Sequence, residues 1–241
     1  MTQTTVPVIF DLAGTLVDPA DGISGGIAVA LRELGLAVPG RERLNAMIGP
    51  KLSHSLVDIA GVPVEQLDEA IRIYRSHYLS TGIAQGRVYE GVRALLESYV
   101  DAGRPIGVAT QKPEHLARIV LEHHGLAGLF HTIRGSAADE SAVAAGPAGK
   151  AGIIAAALAD LGTRDAVMVG DRAQDVAGAA ANGLECIGVG WGFALDGELR
   201  DAGAAAVVHS TSALHETIVR LDAVRADTLQ TLNEVHTDGN V

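Results

Sequence analysis

The chain has 241 residues, 48% apolar and 3% aromatic, with a formal net charge of −11. That length allows one large domain, or one domain carrying an inserted module, with a core that needs no covalent staples. The charge opposes a nucleic-acid or other polyphosphate partner, the few aromatics argue against a base-stacking groove, and the single cysteine, Cys186, excludes an internal disulfide and fits a reducing cytoplasm.

The N-terminal "MTQTTVPV" lacks a basic region and a long apolar stretch, and no run of about 18 apolar residues occurs, so neither a signal peptide nor a membrane span is predicted. The first strand is predicted at 6–10, "VPVIF", and runs into Asp11 and then the turn at Gly14. From about Asp18 to Gly86 no strand pattern appears. Four helical patterns fill the stretch: 22–35, 41–49, 51–61 and 64–82. Residues 86–91 are expected as the hinge that returns the chain. Helices at 90–103, 113–125, 150–162 and 173–183 then alternate with strands at 105–110, 131–135, 166–170, 184–190 and 204–209. Each of these four helices ends on a glycine, as at a position just past a helix C-terminus, and Pro113 suits a first helical position. Segment 136–149 is small and polar and reads as a flexible loop. Residues from 211 onward read as one or two helices with a frayed tail.

All but the 131–135 strand are short apolar runs without alternation, as expected of strands buried on both faces. Strands alternating with helices imply a parallel sheet with right-handed crossovers. The fold class is therefore α/β, a Rossmann-like parallel sheet core (1–17 and 87–241) with an inserted α-helical cap (18–86). Cys186, in "LECIGVGWG", is expected in the core.

In a parallel sheet the strand C-termini open onto one edge, where ligands bind. Asp11 ends the first strand and Thr110 the second. Asp171 follows "AVMVG", Asp175 lies four residues on, and Lys150 opens the helix after the polar loop. That edge gathers three carboxylates, a hydroxyl and an ammonium. Clustered carboxylates call for a hard cation, Mg²⁺ above all. The lysine and hydroxyl would hold an anion beside it, and phosphate fits best.

These pieces, "DLAGT", "VATQKP", "GKAGIIAAAL" and "VGDRAQD", with the cap segment "MIGPKLSHSL" and the hinge "VYEGVRALL", resemble the haloacid-dehalogenase-like phosphohydrolases. Within them the chain is similar to the phosphoglycolate-phosphatase-like branch, whose helical cap is inserted after the first strand. The resemblance covers nearly the whole chain, to about Thr217. It implies that Asp11 is the nucleophile, forming an aspartyl-phosphate. It implies that Asp11, Asp171 and the main-chain carbonyl of Ala13 bind Mg²⁺, with Asp175 supporting the metal or orienting Lys150. Thr110 and Lys150 would hold the phosphoryl oxygens, with Gln111 beside them where relatives often have Asn. Thr15 would stabilise the turn that Gly14 permits.

The sequence departs from the pattern at Ala13. Phosphatases of this family carry there a carboxylate that protonates the leaving oxygen and later deprotonates the hydrolytic water. Losing a general acid/base costs about 10²–10⁴-fold. Three explanations stand. The first is a phosphatase with weakened turnover, through an engineered substitution or a mild natural variant. The second is a C–P bond hydrolase similar to the phosphonoacetaldehyde hydrolases, which carry Asp-x-Ala-Gly-Thr and a cap lysine that forms a Schiff base. The third is a catalytically silent phosphate-binding or interaction protein. The 18 basic residues include only three lysines, Lys51, Lys112 and Lys150. Lys51 is the one Schiff-base candidate in the cap, set against a role as a solvated or phosphate-steering lysine, and His54 beside it is a candidate substrate contact.

Other candidates read both ways. His123 and His124 suit a helix C-terminus. Arg172 stands near the site or in a surface ion pair, and Trp191 walls the pocket or packs in the core. Asp18 caps a helix or packs at the hinge. The expected partner is a small phosphorylated metabolite, with no nucleic acid or membrane, and the chain a monomer or homodimer.

Overall fold

The computed structural model describes residues 5–137 and 149–238. The chain begins with β1 (Val8–Phe10) and β2 (Val17–Asp18). It then makes a helical excursion through α1 (Ala20–Glu33), α2 (Arg41–Asn45), α3 (Leu52–His54), α4 (Leu67–His77) and α5 (Ile83–Gln85). Wider, π-helical turns at Ser55–Ile59 and Tyr78–Gly82 extend α3 and α4. β3 (Arg87–Val88) brings the chain back. There follow α6 (Val92–Asp101), β4 (Ile106–Pro113), α7 (Glu114–His123), β5 (Thr132–Ser136), α8 (Lys150–Asp160) and β6 (Val167–Gly170). The chain continues through α9 (Ala173–Ala180), β7 (Glu185–Val189), α10 (Glu198–Asp201), β8 (Ala206–Val208) and α11 (Thr211–Asp238).

Six strands form one sheet in the order β5-β4-β1-β6-β7-β8, every pairing parallel. The six predicted strands all appear. Both faces are covered, which explains the apolar runs of all but β5. Val8 and Phe10 of β1 join one apolar cluster with Leu96 of α6, Leu121 of α7 and Ile218 of α11. Ile9 between them joins the other, with Ile154 of α8, Ala179 of α9 and Cys186 of β7. The pleat thus divides consecutive residues between two layers of helix. The first cluster runs on into the helical excursion, where α1 packs on α4 through residues such as Ile27, Leu31 and Ile71.

The four glycine-terminated helices end as expected. After α6, Gly103 takes a left-handed φ of 68°, and the Arg104 amide reaches back to the Tyr99 carbonyl at 2.8 Å, closing the helix end. Gly125, Gly162 and Gly183 also have positive φ.

Two expectations need correction. The chain crosses between sheet and excursion through strands, not a bare hinge: β2 pairs antiparallel with β3, Val17 opposite Val88 and Asp18 opposite Arg87. Two residues per strand are too few to leave a periodic signal. β4 also continues past Thr110 to Pro113, its register with β5 shifting between Ala109 and Pro113. Pro113 is therefore the last strand residue before α7 rather than a helical one. Positions 138–148 of the predicted flexible loop lie outside the described residues. The C-terminal pattern is one helix, α11, tied down by the buried Arg104–Asp222 ion pair and by a bond from the Val6 amide to Asp222 at 3.1 Å.

Candidate active site

The sheet register decides which side chains meet. Phe10 lies opposite Val108 on β4 and Val169 on β6, so Asp11, Thr110 and Asp171, one or two residues further along, emerge together at the same edge. The Asp11 amide continues the ladder to the Val169 carbonyl at 2.8 Å. Lys150 is the first residue of α8, and Asp175 lies in the first turn of α9. All five side chains are buried.

The Lys150 ammonium bonds Asp11 Oδ1 and lies 2.6 Å from Asp175 Oδ1. The other Asp175 oxygen accepts the Arg172 amide at 3.0 Å, capping α9. Asp171 accepts the Phe193 amide at 2.8 Å and the Thr15 hydroxyl at 3.3 Å. Thr15 therefore touches a site carboxylate as well as belonging to the turn. Gly14 has φ +90°, and a Cβ there would stand 2.1 Å from Asp171 Oδ2, so the Asp11 turn and the Asp171 carboxylate share one space only because residue 14 has no side chain.

Burial dominates the electrostatics. It pushes the Asp11 carboxyl up to about 6, against the opposing pull of the Lys150 ammonium and the Thr110 hydroxyl. It pushes Asp171 well above the usual carboxylate range, with Asp11 and Asp175 adding to the effect. Burial alone would lower the Lys150 pKa, but Asp11 and Asp175 overcome it and hold the ammonium above its ordinary value. One oxygen from each of Asp11, Asp171 and Asp175 lies within 4.8 Å of the others. Three buried carboxylates against one ammonium leave negative charge uncompensated, and the donors are all oxygen. That set fits a hard divalent cation such as Mg²⁺.

A cavity of about 40 Å³ lies above this floor. Asp11, Ala13, Thr110, Gln111 and Lys112 line it from the sheet edge; Ile23, Met47, Gly49, Pro50, Leu52 and Tyr74 line it from the helical excursion. Gln111 lines the cavity next to Thr110. Lys112, given no role by the sequence, is in the wall with its ammonium 4.3 Å from the Tyr78 ring centroid. The extension of β4 carries it there, and that extension was hidden by the polar "QKP".

Two cap candidates are not brought to the cavity. Pro50 and Leu52 line it while Lys51 between them does not. His54 is exposed on α3, its Nδ1 2.8 Å from Asp58 Oδ2. His124, beside His123 at the end of α7, presents its carbonyl to Arg93. The Trp191 indole donates to the Thr15 carbonyl at 3.1 Å, bracing the Asp11 turn from outside the cavity. Arg172 is in no surface pair: it is buried and bonded to Glu198 at 2.9 Å and to the Ile48 carbonyl at 2.6 Å. A larger cavity of about 260 Å³ lies at Arg118, Arg134 and Asp160. None of the site carboxylates lines it, and its charges already pair with neighbours, Arg134 with Asp160 at 2.5 Å and Arg118 with Glu114 at 3.0 Å.

Comparison with known proteins agrees with this arrangement. Residues 8–189 match the family model described as haloacid dehalogenase-like hydrolase. A 5'-nucleotidase of Pseudomonas aeruginosa is 37% identical over 195 residues, 80% of this chain and 86% of that one. The tyrosine-protein kinase PtkA of Mycobacterium tuberculosis is 36% identical over 207 residues, 85% of this chain and 69% of that one. The crystal structure of a predicted phosphatase from Clostridium acetobutylicum superposes with a TM-score of 0.82 at 36% identity, covering 90% of this chain and 99% of that one. With its carboxylates and lysine at one sheet edge and its helices inserted after β1, the chain belongs to the haloacid dehalogenase-like hydrolase family and is a phosphohydrolase.

Proposed function

We propose that the protein hydrolyses a small phosphate monoester by way of an aspartyl-phosphate on Asp11. In this reading residues 1–17 and 87–241 are the catalytic core and residues 18–86 a cap that roofs the site. The observation that carries it is the floor of the cavity: a buried Asp11 carboxylate held by Lys150 and Thr110 where a phosphoryl group would enter. The relatives support transfer chemistry of this kind, since a nucleotidase and a tyrosine kinase both move a phosphoryl group. They differ in substrate, so neither substrate is carried over.

Asp11, Asp171, Asp175 and the Ala13 main-chain carbonyl would hold Mg²⁺. The bound ion would draw charge from the phosphoryl oxygens. An Asp11 oxygen attacks phosphorus, and the bond from phosphorus to the ester oxygen breaks. The Lys150 ammonium keeps Asp11 ionised and, with the Thr110 hydroxyl, neutralises the transferring oxygens. Gln111 and Lys112 face the leaving group. The cap residues Met47, Pro50 and Leu52 exclude bulk water. Water then attacks the phosphoenzyme, releasing phosphate and freeing Asp11. Ala13 offers no proton to a leaving alkoxide and no base to that water, so both halves are slow, the second without rescue. The alternative through a Schiff base would require Lys51, between the lining residues Pro50 and Leu52, to turn into the cavity.

p-Nitrophenyl phosphate tests this reading, because its leaving group needs no proton. With Mg²⁺ the protein should phosphorylate quickly and then stall. Intact mass should rise by one phosphoryl group, mapped to Asp11 and absent in Asp11→Asn. No covalent adduct, or an adduct that survives Asp11→Asn, would count against it. A silent phosphate-binding protein would bind phosphate and form none.

A further inference from the structure

Arg172 does two jobs in one residue. Its main-chain amide caps α9 by donating to Asp175 Oδ2 at 3.0 Å, directly after Asp171. Its side chain, in a residue only 8% exposed, crosses to the other wall of the cavity. One guanidinium nitrogen donates to the Ile48 carbonyl at 2.6 Å and reaches the Ala46 carbonyl at 3.4 Å. Its Nε donates to Glu198 at 2.9 Å, and Glu198 is itself fixed by the Ala173 and Leu195 amides, both at 2.8 Å. The intervening Met47 carbonyl accepts the Ser55 hydroxyl at 3.0 Å. Three consecutive roof carbonyls are thus held, two of them by a residue of the aspartate loop.

The roof is shaped to accept this arm. Gly49 has φ +103°, and a Cβ there would stand 3.0 Å from Arg172 Cγ and 3.3 Å from Gln174 Nε2. That Gln174 nitrogen is buried and has no hydrogen-bond partner among the described residues, a second donor of the α9 start facing the same loop. Met47, Gly49 and Pro50 of this loop line the cavity above Asp11.

We propose that Arg172 is a positioning residue, latching the roof loop 46–50 to the aspartate loop so that a closed roof and an assembled carboxylate cluster form one state. The role in turnover rests on the phosphatase reading above; the latch itself does not. A substrate must enter beneath the roof, so the latch opens to admit it and re-forms over it. Guanidinium suits the task because it presents several donors in a fixed fork, spanning Glu198 and the roof carbonyls together.

Hydrogen exchange of the whole 241-residue chain reads the roof directly, because the Ala46, Met47 and Ile48 amides are bonded to the Glu42, Leu44 and Asn45 carbonyls. In Arg172→Gln, exchange at 46–52 should rise about 10- to 100-fold, the size of losing a hydrogen bond to a charged group, with β1 and β6 unchanged. Arg172→Lys keeps the charge beside Glu198 but has one nitrogen, so a smaller rise is expected in the same segment; it decides the question if the glutamine variant does not fold. Wild-type exchange at 46–52 in a folded variant overturns the latch, as does an equal increase through the strands. In an Ala13→Asp background, Arg172→Lys should raise KM about tenfold with kcat within about twofold, because only the competent fraction falls. A fall in kcat at unchanged KM would instead mark simple damage to the aspartates and overturn the proposal. If the Ala13→Asp protein hydrolyses no phosphate ester, the phosphatase reading fails, while the exchange result still decides the latch.

Discussion

Ala13→Asp is the substitution that tests most of the chemistry at once. Ala13 is 8% exposed and shares its cavity with Asp11. A carboxyl placed there enters a buried cluster in which Asp11 is already raised to about 6 and Asp171 is raised well above the ordinary range. The same burial and like charge would hold its proton towards neutral pH, as a general acid requires. The expected gain in turnover is about 10²–10⁴-fold, equivalent to about 2.7–5.4 kcal/mol of barrier. The gain should depend on the leaving group. Phosphorylation by alkyl phosphates, whose alkoxide needs a proton, should accelerate most; with p-nitrophenyl phosphate only the dephosphorylation step should. Phosphate release is measured across a panel of esters at saturating Mg²⁺, with burst kinetics separating the two steps. A gain below about tenfold for every alkyl ester would refute the assignment of position 13 to proton transfer. So would an equal gain in the phosphorylation step for alkyl and nitrophenyl esters.

With metal removed by EDTA, stability should fall as pH rises from 3.8 to about 6, because the native state holds on Asp11 a proton that the unfolded chain has released. Asp171 acts in the same direction. Urea midpoints at the two ends of that window, with and without Mg²⁺, check this; Mg²⁺ or Asp11→Asn should flatten the dependence, and a metal-free protein that gains stability across the window contradicts it. Gly14→Ala would set a methyl 2.1 Å from Asp171 Oδ2 at φ +90°; it should cost about 1–3 kcal/mol in backbone strain alone and abolish Mg²⁺ binding by calorimetry. Asp222→Ala would strand the buried Arg104 guanidinium. A loss of about 3–5 kcal/mol is expected in denaturant unfolding, and a change within error would show that the pair contributes little.

Five of the six strands were legible because burial on both faces leaves short apolar runs; β5, with Arg134 in it and only Thr132 and Ile133 buried, was legible from its place between two helix patterns. The glycine at the end of α6 was legible because the left-handed position there excludes most side chains. Asp11, Thr110, Lys150, Asp171 and Asp175 were legible as a group because strand ends converge on one edge in this topology. Lys112 was not, since its position follows from the β4 extension, and "QKP" looks like a turn. For Arg172 a place near the site was one of two readings, but its reach to the roof was not legible, because those partners are main-chain carbonyls more than a hundred residues earlier, and a carbonyl leaves no mark on sequence. His54 shows the converse. Its neighbourhood was right, but which way a short helix turns its side chains depends on packing that the cap pattern did not fix.

The pairing of β2 with β3 has a consequence for how such a molecule can vary. Val17 and Val88 sit side by side although seventy residues separate them, so the sheet experiences the whole helical excursion as a detour that leaves and rejoins at one stitch. The free energy of closing a detour grows only logarithmically with its length. A longer or shorter segment grafted between those two short strands would leave the floor chemistry geometrically undisturbed as long as it still offers Arg172 the carbonyls of the 46–50 loop, and ligand preference would then be exchanged as a cassette.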